Sequence, residues 1–182
     1  LEVTVEYLKA EAEKAGVGAM RKLWLPVLPS VLYLDALDVF VRAAFDGQKW
    51  QEKPRRFQLN AIIGMVDDPE NQAQMPVSMD FANGGHHMVI GTVSTGKSTL
   101  LQTVVYSLAA CYPPDLLNIY CLDFSAKMLS VFNGLKHVGG YLDESDLETD
   151  HVDKFFTMIA HILDERKARF AGTGFEDAVN HD

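Results

Sequence analysis

The sequence predicts an α/β fold built on a mostly parallel sheet with helices packed over it, and three observations carry that expectation. The apolar run His87-Met88-Val89-Ile90 reads as a buried strand, followed at once by Gly91-Thr92-Val93-Ser94-Thr95-Gly96-Lys97-Ser98, a complete G-x-x-x-x-G-K-S loop. Leu100, Leu101, Val104, Val105, Leu108 and Ala109 then recur at helical spacing with a broad apolar face. After residue 85 strand and helix patterns alternate, with residues 117–122 as a second core strand and His151–Phe170 as a further helix, which is the order a parallel sheet requires. With 182 residues, 48% of them hydrophobic, the chain can bury a sizeable core, one domain plus an appendage.

Residues 3–22 are charged and alanine-rich, and Leu8, Ala12 and Ala15 give only a thin apolar stripe, so a surface helix is expected. Trp24-Leu25-Pro26-Val27-Leu28-Pro29 cannot be helical across two prolines and should run extended. Ser30 or Asp35 should cap a helix that ends near Gly47. Residues 57–66 end at the turn Asp67-Asp68-Pro69, and beyond it Val77, Met79 and Phe81 alternate with Ser78 and Asp80, which predicts a hairpin-like strand pair. Gly84-Gly85 breaks the chain before the loop-bearing strand, and Gly139-Gly140 marks another turn. In the last helix Phe155, Ile159, Ile162, Leu163 and Phe170 fall on one side.

The loop makes nucleotide binding the first functional expectation. Consecutive backbone N–H groups must turn inward on a polyphosphate, and Gly91 and Gly96 let the chain bend without a clashing Cβ. Lys97 would reach the β- and γ-phosphates, Ser98 would offer its hydroxyl to Mg²⁺, Thr99 supports the same end, and the helix that starts here adds its positive dipole end. The cofactors expected at Gly91, Thr92, Val93, Ser94, Thr95, Gly96, Lys97, Ser98 and Thr99 are therefore ATP and Mg²⁺. A glycine-rich turn of an α/β protein without nucleotide is the bland competitor.

Composition narrows the partners. The net charge of −9 repels a phosphate backbone, and Lys53, Arg55 and Arg56 are too short a basic patch to overturn that. Asp143, Glu144, Asp146, Glu148, Asp150 and Asp153 read as a solvated loop and helix start. Cys111 and Cys121 lack C-x-x-C spacing and read as core filler in a reduced compartment. No apolar run approaches the roughly 18 residues of a membrane span, and the acidic N-terminus is not a signal peptide.

Other candidates are weighed against structural roles. Ile119-Tyr120-Cys121-Leu122-Asp123 is a hydrophobic strand ending in an acid that could hold Mg²⁺ through water; the alternative is a neighbouring strand whose Asp serves another purpose, and Phe124 stands where a motor would carry a glutamate. His86 and His87 point to opposite faces of an extended segment and cannot jointly grip a metal. Arg166, Lys167 and Arg169 complement the dipole of the last helix. Trp24, Trp50 and Phe57 could stack on adenine but read better as packing residues. No residue is singled out as catalytic.

Beyond the loop, Gly64-Met65-Val66-Asp67-Asp68-Pro69-Glu70-Asn71-Gln72, Gln74-Met75-Pro76 and Asp80-Phe81 resemble the run that precedes the phosphate loop in FtsK/SpoIIIE-type ATPases of type VII secretion. Leu122-Asp123-Phe124, Leu135-Lys136-His137-Val138-Gly139-Gly140, Asp164-Glu165-Arg166-Lys167 with Phe170-Ala171, and Leu23-Trp24-Leu25-Pro26-Val27-Leu28-Pro29 are also similar to that family, most of all to the second of its tandem ATPase domains. Ser125-Ala126-Lys127 replaces its glycine pair and Lys136 its proline.

The resemblance implies a RecA-like P-loop NTPase, a three-layer sandwich preceded by N-terminal helices and a strand pair. Residues 1–53 would form the appendage and residues 54–182 the ATPase domain, stopping before the strand that carries the true acid and catalytic glutamate. It further implies a membrane-associated motor at the cytoplasmic face that drives secretion of helical-hairpin proteins, with tandem ATPase domains in one chain and a possible homo-oligomer. The membrane would be reached only through the parent chain. A DNA-translocating motor and a nucleotide-stabilised interaction module with little hydrolysis are the alternatives; the acidic balance disfavours the first, and the absence of a convincing base for water points this fragment toward binding without turnover.

Overall fold

The computed structural model describes residues 2–18, 25–50, 58–125 and 127–171. Helix α1, Glu2–Lys14, has no buried residue, as its thin apolar stripe predicts. It stops short of residue 22 because Gly16 takes the left-handed conformation, φ +66°, and closes a Schellman motif: Gly16 N–H donates to Glu13 O and Val17 N–H to Ala12 O. Leu23, Trp24, Lys53, Arg55, Arg56 and Phe57 lie outside the described residues, as does the expected boundary between residues 53 and 54.

The single helix expected between Ser30 and Gly47 is instead two short pieces, a 3-10 turn at Leu34–Ala36 and helix α2, Asp38–Ala43. Neither Ser30 nor Asp35 caps them; the residue at the start of α2 is Leu37, with no side-chain cap, because burial of Leu37 and Phe40 against the core fixes this segment rather than its ends. Beyond it the backbone is stitched to the helix that follows the phosphate loop: Phe45 N–H donates to Ala110 O and Trp50 Nε1–H to Ala109 O.

Strands β1, Asn60–Asp68, and β2, Ala73–Asp80, form the expected antiparallel hairpin. Asp68 accepts from the N–H and side-chain amide of Asn71 and so closes its turn. Helix α3, Lys97–Cys111, packs on β1, and Ala61, Val104, Leu108 and Leu117 make one core cluster while Leu37, Phe40, Ala44 and Ile62 make a second. Between them Ser107, fully buried, accepts a hydrogen bond of 2.8 Å from Ile62 N–H where the hairpin register shifts at residues 62–64. A bulge frees one ladder donor, and the serine takes it up.

Two expectations are corrected in the second half. Residues 87–90 are not a buried strand: among the described residues no strand pairs with them, and Met88 and Ile90 are 83% and 85% exposed. An apolar run reports that a segment favours burial, but only a neighbouring strand can supply the ladder. Gly139-Gly140 is not a turn but the middle of β4, Val138–Asp143, which pairs in parallel with β3, Ile119–Asp123. The ring of Tyr120 lies across the pair, and a Cβ on Gly139 would stand 2.8 Å from its Cε1, so these glycines admit a ring rather than bend the chain. Helix α4, His151–Phe170, has the expected bounds, yet none of its residues is buried, and Leu163 and Phe170 are half exposed. Phe155 is its anchor, edge-on to Tyr120 at 5.7 Å.

Candidate phosphate-binding site

The loop is shaped by two left-handed residues and one close approach. Gly96, φ +85° and ψ 11°, turns the chain into α3, and Ser94 also has positive φ, +63°. A Cβ on Gly91 would stand 2.6 Å from Thr95 Oγ1, because that hydroxyl folds back over the loop to donate to Thr92 O at 2.8 Å. The Lys97 ammonium folds back over the loop and also donates to Thr92 O.

The start of α3 meets the electrostatic requirement. No side chain caps it and its first turn carries no acid, so the N–H groups at Lys97, Ser98 and Thr99 face outward with the positive end of the helix dipole. The helix closes its first backbone bond from Leu100 N–H to Gly96 O, 2.8 Å, and Thr103 Oγ1 donates to Thr99 O. Residues 91–96, Ser98 and Thr99 are exposed and within reach of a solute. A glycine at 91 against which Thr95 and Lys97 close, a lysine folded back over the loop and an uncapped helix end fit a bound polyphosphate.

Asp123 sits at the carboxyl end of β3, in register with Asp143 on β4. Its Oδ2 accepts from Leu129 N–H at 2.9 Å and holds the 3-10 turn Met128–Phe132, which Gln102 Nε2 ties to α3 through Met128 O. Lys127, at φ +53°, reaches from that turn to Asp143, 2.9 Å away. The Ser145 hydroxyl, then the Lys127 ammonium, hold the Asp143 carboxyl down at about 2. Asp143 also caps the 3-10 turn Glu144–Glu148 in a reciprocal box with Asp146. Sequence reasoning passed over this pairing; the signal was the Asp-x-x-Asp spacing at a strand end.

The other candidates stay apart. His87 Nε2 lies 3.1 Å from Asp80 O and its ring edge-on to Phe81, a packing role, while His86 is exposed. Arg166, Lys167 and Arg169 are exposed on the last turns of α4. Trp50 packs on Phe45 and His137, beside a cleft of about 740 Å³ that Phe40 and Tyr106 also line, away from the loop. Cys111 and Cys121 are free thiols in apolar surroundings, and burial pushes Cys111 up to about 11. Among the described residues no group of three His, Cys, Asp or Glu is placed to hold a metal.

Comparison with known proteins decides the lineage: residues 41–181 match the FtsK/SpoIIIE family. The chain belongs to the FtsK/SpoIIIE family. Its relatives include the ESX secretion system protein EccC of Thermomonospora curvata, 32% identical over 167 residues that cover 88% of this chain and 12% of the relative. This family member thus spans a small part of that relative's length. Among solved structures, the cytoplasmic domain of the Thermomonospora curvata type VII secretion ATPase EccC superposes with a TM-score of 0.68 at 32% identity, over 85% of this chain and 18% of that one. ATPases 2 and 3 of the same EccC, in complex with a signal sequence peptide, give 0.59 at 34% identity, over 72% of this chain and 22% of that one. The fold is that of the P-loop NTPases, as the sequence predicts. Among the described residues no helix is long and apolar enough to cross a membrane.

Proposed function

We propose that this FtsK/SpoIIIE domain binds Mg-ATP through residues 91–99 and serves as one ATPase module of a type VII secretion motor. The observation that carries it is the loop's geometry: Gly96 in the left-handed region, Thr95 folded over a glycine at 91, and the Lys97 ammonium held inside the bend by Thr92 O. In the free loop that carbonyl satisfies the cation; a polyphosphate would offer it several charged oxygens instead, a stronger acceptor set. Lys97 then neutralises the β- and γ-phosphates, and the N–H groups of residues 96–99 turn toward them. Ser98 Oγ is the side chain that would hold Mg²⁺, whose charge would offset that of the phosphates. Asp123, whose Oδ2 accepts from Leu129 N–H, would be the lesser candidate for that ion and would meet it through water.

The wider reading follows the relatives. In the parent protein the module would stand among tandem ATPase domains at the cytoplasmic face of the membrane, possible subunits of a homo-oligomer, and ATP would drive export of helical-hairpin substrates. The EccC structure with a signal sequence peptide supports a protein rather than a nucleic acid as the cargo of such machines.

Calorimetric titration with Mg-ATP tests the loop. Lys97→Ala removes a charge-assisted contact of about 1.5–3 kcal/mol, an affinity loss on the order of ten- to a hundredfold. Equal affinity in the variant and the wild type would remove the lysine from the site and the proposal with it.

A further inference from the structure

Toward the carboxyl end of α3 lies a cleft of about 740 Å³ that the phosphate-loop reading leaves without a role. Phe40, Phe45, Trp50 and Tyr106 supply ring walls, and His137 is the lining residue that is both polar and buried. The volume falls in the usual range for small-molecule sites, which are mostly apolar with a few fixed polar groups. We propose that this cleft binds a flat, neutral aromatic small molecule carrying one hydrogen-bond donor, which Nδ1 of His137 accepts.

The imidazole supplies the polar half of the argument. His137 is 5% exposed, and its Nε2 lies 2.8 Å from the carbonyl oxygen of Tyr112. A carbonyl only accepts, so Nε2 is the nitrogen that carries the hydrogen, and Nδ1 of the neutral ring is left an acceptor. That Nδ1 is buried and has no hydrogen-bond partner among the described residues. A buried acceptor without a donor costs free energy, which the N–H or O–H of a ligand would recover. Trp50, the neighbouring donor, is already committed: its Nε1–H goes to Ala109 O at 3.3 Å.

The rings supply the apolar half, and their contacts hold them in place. Trp50 packs on Phe45 with centroids 4.5 Å apart, and Phe40 meets Tyr106 at 5.8 Å. Trp50 also stands edge-on to His137 at 5.8 Å, so the ring walls and the acceptor belong to one cluster. Such walls favour a ring, because aromatic pairs gain from stacked and edge-to-face contact beyond the area they bury. The charged residues of the lining, Asp35, Asp46 and Lys136, are all exposed at the rim, and Asp46 Oδ1 already accepts from Gln48 and Lys49 N–H. No charged group therefore stands among the rings to offset an ionic ligand.

The trial titrates the whole chain, labelled with nitrogen-15, with indole and with 1-methylindole, which has the same ring system and no donor. Indole should shift the amide signals of Trp50 and Ala110 to saturation and move the Nδ1 resonance of His137. 1-Methylindole should bind about tenfold more weakly, the scale of one hydrogen bond, and leave Nδ1 where it was. Val41 lines the cleft and is 54% exposed, so Val41→Trp should fill the space and abolish indole binding with the melting temperature unchanged. Equal affinity for the two compounds, an unmoved Nδ1 or shifts centred elsewhere overturns the inference. Failure to bind indole overturns it as well, and a dimer in sedimentation velocity would then give the cleft to a second copy of the chain.

Discussion

Helices α3 and α4 make an instructive pair. The segregation of apolar from polar residues is sharper in α4, yet α4 buries none of its residues, while α3, apolar on more sides, supplies Val104, Val105, Ser107 and Leu108 to the core. Amphipathicity marks which face of a helix favours contact; being apolar on several sides marks a helix with neighbours on several sides. α3 has them: the β1–β2 hairpin on one side, α2 on another and the turn Met128–Phe132 near its start. The loop is therefore rooted at the start of the helix that buries the most side chains among the described residues.

The contrast is broken most directly by truncating one leucine on each helix. Leu108→Ala should cost about 2–5 kcal/mol in urea denaturation, since it opens a cavity between α3 and β1. Leu163→Ala on α4, where the side chain is 49% exposed, should stay within about 0.5–1 kcal/mol. Equal losses from the two would erase the distinction.

Next in size is the polar joint between hairpin and helix. Ser107→Ala leaves Ile62 N–H buried without an acceptor and should lower stability by about 1–3 kcal/mol. Ser107→Thr retains the hydroxyl, and its partial recovery in the same assay would separate the lost bond from a packing effect.

The smallest effect belongs to the β4 side. The Asp143 carboxyl is held from 3.8 down to about 2, first by the Ser145 hydroxyl and then by Lys127. A lowered carboxyl stabilises the folded form above its ordinary value, and that contribution disappears as pH falls from about 4 toward 2. Melting temperatures of wild type and Asp143→Asn should therefore differ near neutrality and converge in acid. A gap that persists below pH about 2 would assign the effect to shape instead of charge.

Much of this was written in the residues themselves. The hairpin followed from Asp67-Asp68-Pro69 between alternating runs, α3 and α4 from their spacing, and the loop from one glycine-lysine-serine pattern. The relatives place the chain in the FtsK/SpoIIIE family that the flanking motifs suggested. The misreadings share a cause. Gly139-Gly140 looked like a turn because what a glycine admits, here the Tyr120 ring, belongs to another part of the chain. Residues 87–90 looked like a strand because an apolar run carries no information about its ladder partner.

By itself the sequence determined the local units: where the backbone can turn left-handed at Gly96, which cation follows it, and which stretches favour helix or strand. These are properties of neighbouring residues, set by sterics and side-chain spacing within a few positions. The tertiary structure decided everything that needs two distant segments at once: Ser107 beneath the bulge at Ile62, Tyr120 across two glycines, Lys127 on Asp143, and a cleft shared by Trp50 and His137. Such contacts depend on packing between elements far apart in the chain, and no short window of residues encodes the partner.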